Sequence, residues 1–396
     1  MGDDEREGLR GFTTRAVHRD AGDTVQRPSS VPLYQTSTWR FDTLDQFADV
    51  IAGARPGQVY GRGYGNPTVE AFESAMADLE RTGAAFALDS GMAAIHCVVT
   101  TLARSGSRVV ASRHLYGGTY SLFANVLPRY GIEVVFVDPF DEAAVTAALP
   151  GAALLYVETI DNPLLSVADL GRLAALCRSV GVASVVDNTF ASPYLCNPAA
   201  LGVDYVLHSA TKYIGGHSDL LGGVVCSTED GRRALRATAI ETGGAMQPFE
   251  AWLCLRGLAT LALRMDRHCG TAQRLAELLA ASPVVSSVHY PGLAGDPHHE
   301  VASRELRAYG GMVAFELAGG MDAARRFCAA LRLGWIAASL GGPHTLVAHP
   351  ASTTHRQIDP GLRAAQGLTD GLVRVSVGLE DTEDVLADFG AALASI

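Results

Sequence analysis

Lysine is almost absent from this chain. Its 396 residues include 31 basic side chains, and all of them except Lys212 are arginine. Charged residues make up only 18%, and acidic ones are in excess, for a net charge of −11. A surface of that average sign repels phosphate backbones and anionic lipid, so nucleic acid and membrane are not expected partners. No apolar run reaches the ~18 residues a membrane span needs. The opening MGDDEREGLRGFTTR mixes both charge signs before any apolar run. That fits neither a secretory signal nor an acid-poor transit peptide, and a cytoplasmic location is expected. The cysteines Cys97, Cys177, Cys196, Cys226, Cys254, Cys269 and Cys328 contain no CxxC pair. Buried free thiols are expected in place of a disulfide framework. What is plentiful is core material, 48% of the residues being hydrophobic. The length suits two or three domains at roughly 150 residues each.

Where positive charge alone was required, the composition uses arginine, so Lys212 is expected to do something arginine cannot. A lysine amine can lose its proton in a suitable pocket and condense with a carbonyl, which a guanidinium does not. The alternative is a surface lysine left over by chance. Its surroundings, Asp204-Tyr-Val-Leu-His-Ser-Ala-Thr-Lys-Tyr-Ile-Gly-Gly-His217, run from a short β-rich stretch through hydroxyls into glycines. That pattern is a turn built around a functional group.

Between about residue 85 and 226, short apolar runs alternate with helix-length segments. The runs are Arg108–Ala111, Glu133–Val137, Ala153–Val157, Ala183–Asp187, Tyr205–His208 and Gly223–Cys226. Continuous β-branched runs of this length predict strands buried on both faces in a mostly parallel α/β sheet. After Pro248 the pattern predicts one long helix from Phe249 to Ala281. Strands over Val284–Tyr290, Gly311–Leu317 and Leu372–Gly378 follow, as in a smaller α+β domain. The expected division is an extended N-terminal arm (1–60), a large α/β domain (61–248) and a C-terminal α+β domain (249–396).

Ligands in open α/β sheets bind beyond the carboxyl ends of strands. One such end is Asp187, in Val186-Asp-Asn-Thr189, and the next strand leads to Lys212. An amine for an imine, with a carboxylate to face a pyridinium nitrogen, is the pairing that pyridoxal phosphate requires. Taken alone, Asp187 is equally an ordinary loop residue or helix cap. The segment Asp89-Ser-Gly-Met-Ala-Ala94 opens an apolar helix, where the N–H groups of Gly91 and Met92 would meet a phosphate. Ser209 and Thr211 would add hydroxyl donors. His298, His299, His344, His349 and His355 show no recognised ligand spacing, so no metal is expected. Gly215-Gly-His-Ser-Asp219 is not a dinucleotide fingerprint, which speaks against a nicotinamide oxidoreductase.

Nine segments appear in the order seen in the Cys/Met-metabolism family of pyridoxal-phosphate enzymes. They are Tyr60-Gly-Arg-Gly-Tyr-Gly-Asn-Pro-Thr68, Asp89–Met92, His114-Leu-Tyr-Gly-Gly-Thr119, Glu158-Thr-Ile-Asp-Asn-Pro163, Val186–Thr189, His208–Tyr213, Ser339-Leu-Gly-Gly342, His349-Pro-Ala-Ser352 and Val375–Glu380. The chain resembles that family over nearly its whole length. The resemblance implies a fold type I, aspartate-aminotransferase-like architecture, with a mostly parallel seven-stranded sheet in the large domain. By the same resemblance Lys212 carries the cofactor and moves protons, and Asp187 faces the ring nitrogen. Tyr116, otherwise a core aromatic at a helix start, stacks on the ring and protonates the leaving group, and Asn162 bonds the ring hydroxyl. Gly91, Met92, Ser209 and Thr211 cradle the phosphate, with Tyr60 and Arg62 completing the cradle from a neighbouring subunit. Arg374 and Ser339 grip the substrate carboxylate. Relatives are usually homotetramers, dimers of dimers with shared active sites. One departure is the spacing before Asn66, where Gly63-Tyr-Gly65 replaces the family's usual two residues.

The activity implied is γ-elimination from a sulfur amino acid. Cystathionine-handling relatives often place a Glu before Ser-Leu-Gly, where this chain has Ala338, so an apolar tail such as that of L-methionine is favoured. Arg264-Met-Asp-Arg-His-Cys269 also resembles methionine γ-lyases, while Tyr116-Gly-Gly118 resembles synthases. Cystathionine γ-synthase or γ-lyase chemistry is the alternative within the family. A cofactor-free binding protein on the same fold is the alternative outside enzymology.

Overall fold

The computed structural model describes residues 11–18, 28–353, 356, 361, 363 and 367–396. The first ten residues and His355 lie outside this set, and of the expected arm 11–18 and 28–60 are described. Seven strands form the larger sheet: β1 (Ala84–Leu88), β2 (Arg108–Ser112), β3 (Glu133–Val137), β4 (Leu154–Glu158), β5 (Ala183–Asp187), β6 (Tyr205–Ser209) and β7 (Gly223–Ser227). Their order is β1-β7-β6-β5-β4-β2-β3, and only β7 runs against its neighbours. Every residue of β1, β4 and β7 is buried, as apolar strands covered by helices on both faces must be.

Helix α1 (Pro67–Glu80) starts where the Asn66 side chain accepts the Thr68 N–H at 2.9 Å, with proline preset at the first turn. Phe72, Met76 and Leu79 of α1 pack with Ala85 and Ala87 on one face of β1. Phe86 and Leu88, alternating with them, meet Ala94, Ile95 and Val98 of helix α2 (Gly91–Leu102) on the other. Strand β1 escaped the sequence reading because its Ala84-Ala-Phe-Ala-Leu88 lacks β-branched residues.

The helix expected from Phe249 to Ala281 is two helices, α3 (Pro248–Leu258) and α4 (Leu261–Ala280). The break at Ala259-Thr260 has a packing cause. A Cβ at Gly257 would stand 2.2 Å from the Ile214 carbonyl oxygen, so α3 presses directly on the loop after Lys212. The buried Arg264 guanidinium donates to the carbonyls of Tyr213 and Gly257, each at 2.6 Å, and stitches the break to that loop. No side-chain periodicity announces such a break.

The second sheet holds β8 (Val285–His289), β9 (Met312–Leu317), β10 (Trp335–Ile336), β11 (Leu346–Ala348) and β12 (Leu372–Ser376), in the order β10-β11-β12-β9-β8. Strands β10 and β11 are too short to show a period in the sequence. Aromatic packing of Phe315, Phe327 and Phe389 fills the core beneath.

Candidate active site

Register brings the chemistry to one edge of the large sheet. Glu158 at the end of β4 lies opposite Asp187 at the end of β5, while Ser209 at the end of β6 lies opposite Gly223. Beyond these ends opens a cavity of about 260 Å³. Its walls include Gly91, Met92, Tyr116, Asn162, Asp187, Ser209, Thr211, Lys212, Ser339 and Arg374. Ten of the twelve site residues expected from the sequence are thus brought together. Tyr60 and Arg62 are not among the lining residues. Tyr60 is 45% exposed, and the Arg62 guanidinium donates to the Ile240 carbonyl.

The Lys212 ammonium donates to Ser339 Oγ at 2.8 Å. Burial, reinforced by the positive charge of Arg374, pulls its pKa from 10.5 down to about 8. Ser339 holds this contact at φ +80°, a left-handed backbone that costs a serine of order 1–3 kcal/mol. Arg374, on β12, is 3% exposed. Its guanidinium donates to Asn162 Oδ1 at 2.9 Å and to the Ser339 carbonyl at 3.3 Å, while Nε is buried without a partner. Both acceptors are neutral, and burial pulls the Arg374 pKa down to about 10. A buried guanidinium with neutral partners and an open N–H is a seat for an incoming anion.

Asp187 accepts the Thr189 N–H at 3.0 Å and the Tyr156 hydroxyl at 3.4 Å. Burial raises its carboxyl, an effect opposed by the Thr189 contacts and the nearby His208. Helix α2 begins with Ser90 Oγ accepting the Ala93 N–H at 3.2 Å. Among the described residues, the N–H groups of Gly91 and Met92 and the Ser209 hydroxyl have no protein partner. A Cβ on Gly91 would stand 2.7 Å from Ser209 Cβ, so only glycine lets the helix start approach β6 this closely. The sequence reading gave Glu158 no role, although it lines the cavity and accepts the Tyr116 N–H at 2.7 Å. The signal was present: like Asp187, it is a carboxylate ending a buried apolar strand.

The model of the Cys/Met metabolism PLP-dependent enzyme family matches residues 13–394. The chain belongs to that family. It is 43% identical to the L-methionine gamma-lyase of Pseudomonas putida over 389 residues, covering 97% of this chain and 98% of that protein. It is 42% identical to the cystathionine gamma-lyase of Bacillus subtilis over 377 residues, 95% of this chain and 97% of that one. The cystathionine gamma synthase of Xanthomonas oryzae, solved with aminoacrylate and cysteine, superposes with a TM-score of 0.93 at 37% identity, covering 98% of each chain. This member of the family is therefore a pyridoxal-phosphate-dependent enzyme, and its mixed sheet of 7 strands with a smaller sheet beside it is the fold expected from the resemblance. Among the described residues no helix is long and apolar enough to cross a membrane, and all seven cysteines are free.

Proposed function

We propose that the enzyme carries out γ-elimination on a sulfur amino acid, with L-methionine preferred, releasing methanethiol, 2-oxobutyrate and ammonia in the cytoplasm. The observation that carries the substrate choice is the wall beside Ser339. There Ala338 and Leu340, with Ile160 and Leu221 nearby, offer an apolar surface to the substrate's tail and no carboxylate at position 338 for a second ammonium.

The residues present suit the cofactor. The open N–H groups of Gly91 and Met92 and the Ser209 hydroxyl form an anion cradle at a helix N-terminus, dimensioned by a glycine that no larger residue can replace. Thr211 Oγ1, which accepts the Gly222 N–H at 3.0 Å, stands beside it. Asp187 and Lys212 face the same cavity for the ring nitrogen and the aldehyde. Bound pyridoxal phosphate supplies an electron sink that acidifies the substrate's Cα–H.

The chain's own side chains do the rest. Arg374 clamps the α-carboxylate through the N–H groups that its neutral partners leave open, and Asn162 fixes the guanidinium plane. Lys212, with a pKa near 8, is uncharged often enough at neutral pH to take the Cα proton and, after passing it on, the Cβ proton whose electrons expel the γ-sulfur, and Ser339 Oγ aims its nitrogen. Tyr116, 44% exposed at the cavity mouth, delivers a proton to the departing sulfur. The apolar wall keeps water from the tail. Tyr60 and Arg62 complete the phosphate site of a neighbouring chain, in an assembly of two such pairs.

A cystathionine-handling enzyme is the second reading, favoured by Gly118. A Cβ there would lie 2.5 Å from the Tyr116 ring, so this chain's Tyr116 occupies space that a side chain at 118 would claim. The deciding test is release of 2-oxobutyrate and thiol from L-methionine and from L-cystathionine, with Lys212→Ala as blank. Methionine turnover well above cystathionine is expected, and Ala338→Glu should shift the preference toward cystathionine. Preference for cystathionine in the unaltered enzyme would overturn the methionine assignment.

A further inference from the structure

Glu158 and Asp187 are register partners on adjacent parallel strands, roughly 4.8 Å apart along the hydrogen-bonding direction. Glu158 is 7% exposed. The pairing sets the two side chains on the same face of neighbouring strands, Glu158 buried and Asp187 half-buried, so a charge on one raises the cost of a charge on the other. Their surroundings differ. Asp187 receives the Thr189 N–H and the Tyr156 hydroxyl, and the Lys212 amine and His208 lie near enough to favour its charge. Glu158 receives one donor, the Tyr116 N–H at 2.7 Å on Oε1. Among the described residues its Oε2 takes no hydrogen bond and no cation pairs with it. The other acids facing it are Asp187 on β5, Asp161 in the loop after β4 and the Tyr156 phenol on β4 itself, while Lys212 and Arg374 stand across the cavity. The carbonyl oxygen of a neutral acid can accept a backbone N–H; a carboxylate accepts it more strongly, so this one bond works against burial and Asp187.

We propose that Glu158 is the residue that positions Tyr116, and that it does so as a neutral carboxylic acid, leaving the single negative charge of the Glu158–Asp187 pair on Asp187. The catalytic part of this assignment rests on Tyr116 being the group that protonates the leaving sulfur. Burial first and then the neighbouring Asp187 push the Glu158 carboxyl well above its ordinary range, against the opposing pull of the Tyr116 N–H. Tyr116 precedes the short helix Gly117–Ser121 and has no other acceptor for its N–H, so losing Glu158 frees the segment that carries its ring.

Two variants test it, Glu158→Gln and Glu158→Ala. The first readout uses the cofactor-free protein and no activity, comparing thermal unfolding of Glu158→Gln and the unaltered chain from pH 5 to 8. A folded state that keeps the Glu158 proton, while the unfolded chain releases it near 4.5, binds more protons than the unfolded state. Stability of the unaltered chain then falls with rising pH relative to Glu158→Gln, so the Tm of Glu158→Gln minus that of the unaltered chain rises steadily toward pH 8. A signed difference that stays flat or falls overturns the neutral assignment. The second readout is turnover with cofactor bound. Glu158→Ala should lower kcat at least tenfold with KM changed less than threefold, and Glu158→Gln should recover most of that loss. Equal loss in both variants overturns neutrality, and an undiminished kcat in Glu158→Ala overturns positioning. If the unaltered enzyme turns over neither amino acid, the functional reading fails while the unfolding comparison still judges the protonation state of Glu158.

Discussion

At the scale of single residues, the only lysine is also the residue on which the pH behaviour turns. Burial and Arg374 hold its pKa at about 8, which leaves about a tenth of the amines uncharged at pH 7. An unperturbed lysine at 10.5 would leave about three in ten thousand. Covalent attachment of pyridoxal phosphate to the cofactor-free enzyme, trapped with borohydride, should therefore accelerate about tenfold per pH unit up to pH 8 and level off above it. A rate still climbing tenfold per unit at pH 9.5 would show that the cavity does not lower this pKa. Lys212 and Asp187 were legible because composition and strand ends point to them without a structure. Glu158 was not, because its meaning depends on a neighbour 29 positions away in the chain that only strand register supplies. The anion seat at Arg374 was named by resemblance, but its open Nε and neutral partners, Asn162 and the Ser339 carbonyl, belong to tertiary contacts across 212 and 35 positions.

At the scale of elements, the start of α2 sets the shape of the proposed phosphate cradle. Gly91 sets the distance between this helix and β6, since a Cβ would press on Ser209 at 2.7 Å. Gly91→Ala should push the helix start outward, cost about 1–3 kcal/mol of overpacking, and weaken cofactor affinity roughly tenfold or more. The dissociation constant from equilibrium dialysis checks this, and unchanged affinity would mean that the cradle is not the phosphate site. The strands were largely readable because five of the seven in the large sheet are Val- and Leu-rich and buried on both faces. The division of the expected long helix into α3 and α4 was not readable. Apart from Gly257, Thr260 and Gly270 its residues carry helical spacing without interruption, and the break is fixed by the contact of Gly257 with Ile214 and the bonds of Arg264. Helix propensity loses there to packing against the loop that presents Lys212.

At the scale of the whole molecule, one chain gathers ten of the twelve expected site residues and leaves Tyr60 and Arg62 outside the cavity. Both belong to a second cavity of about 540 Å³ lined also by Asp89 and the Gly243–Pro248 stretch. Nearby, the helix Leu44–Ile51 has no buried residue and exposes Leu44 and Ile51. A phosphate cradle with backbone N–H groups and hydroxyls but no arginine of its own is short of the cation that a dianion favours. In the proposed assembly, shared sites in a closed dimer would supply it, with Arg62 of each chain serving the other. Mixing then has a quantitative consequence. Lys212→Ala and Arg62→Ala chains are each expected to be nearly inactive alone. Co-expressed in equal amounts, half of the dimers are hybrids, and each hybrid holds one intact site of two, so about a quarter of the unaltered activity should return. Activity no higher than the sum of the separate variants would place Arg62 in its own chain's site or in none.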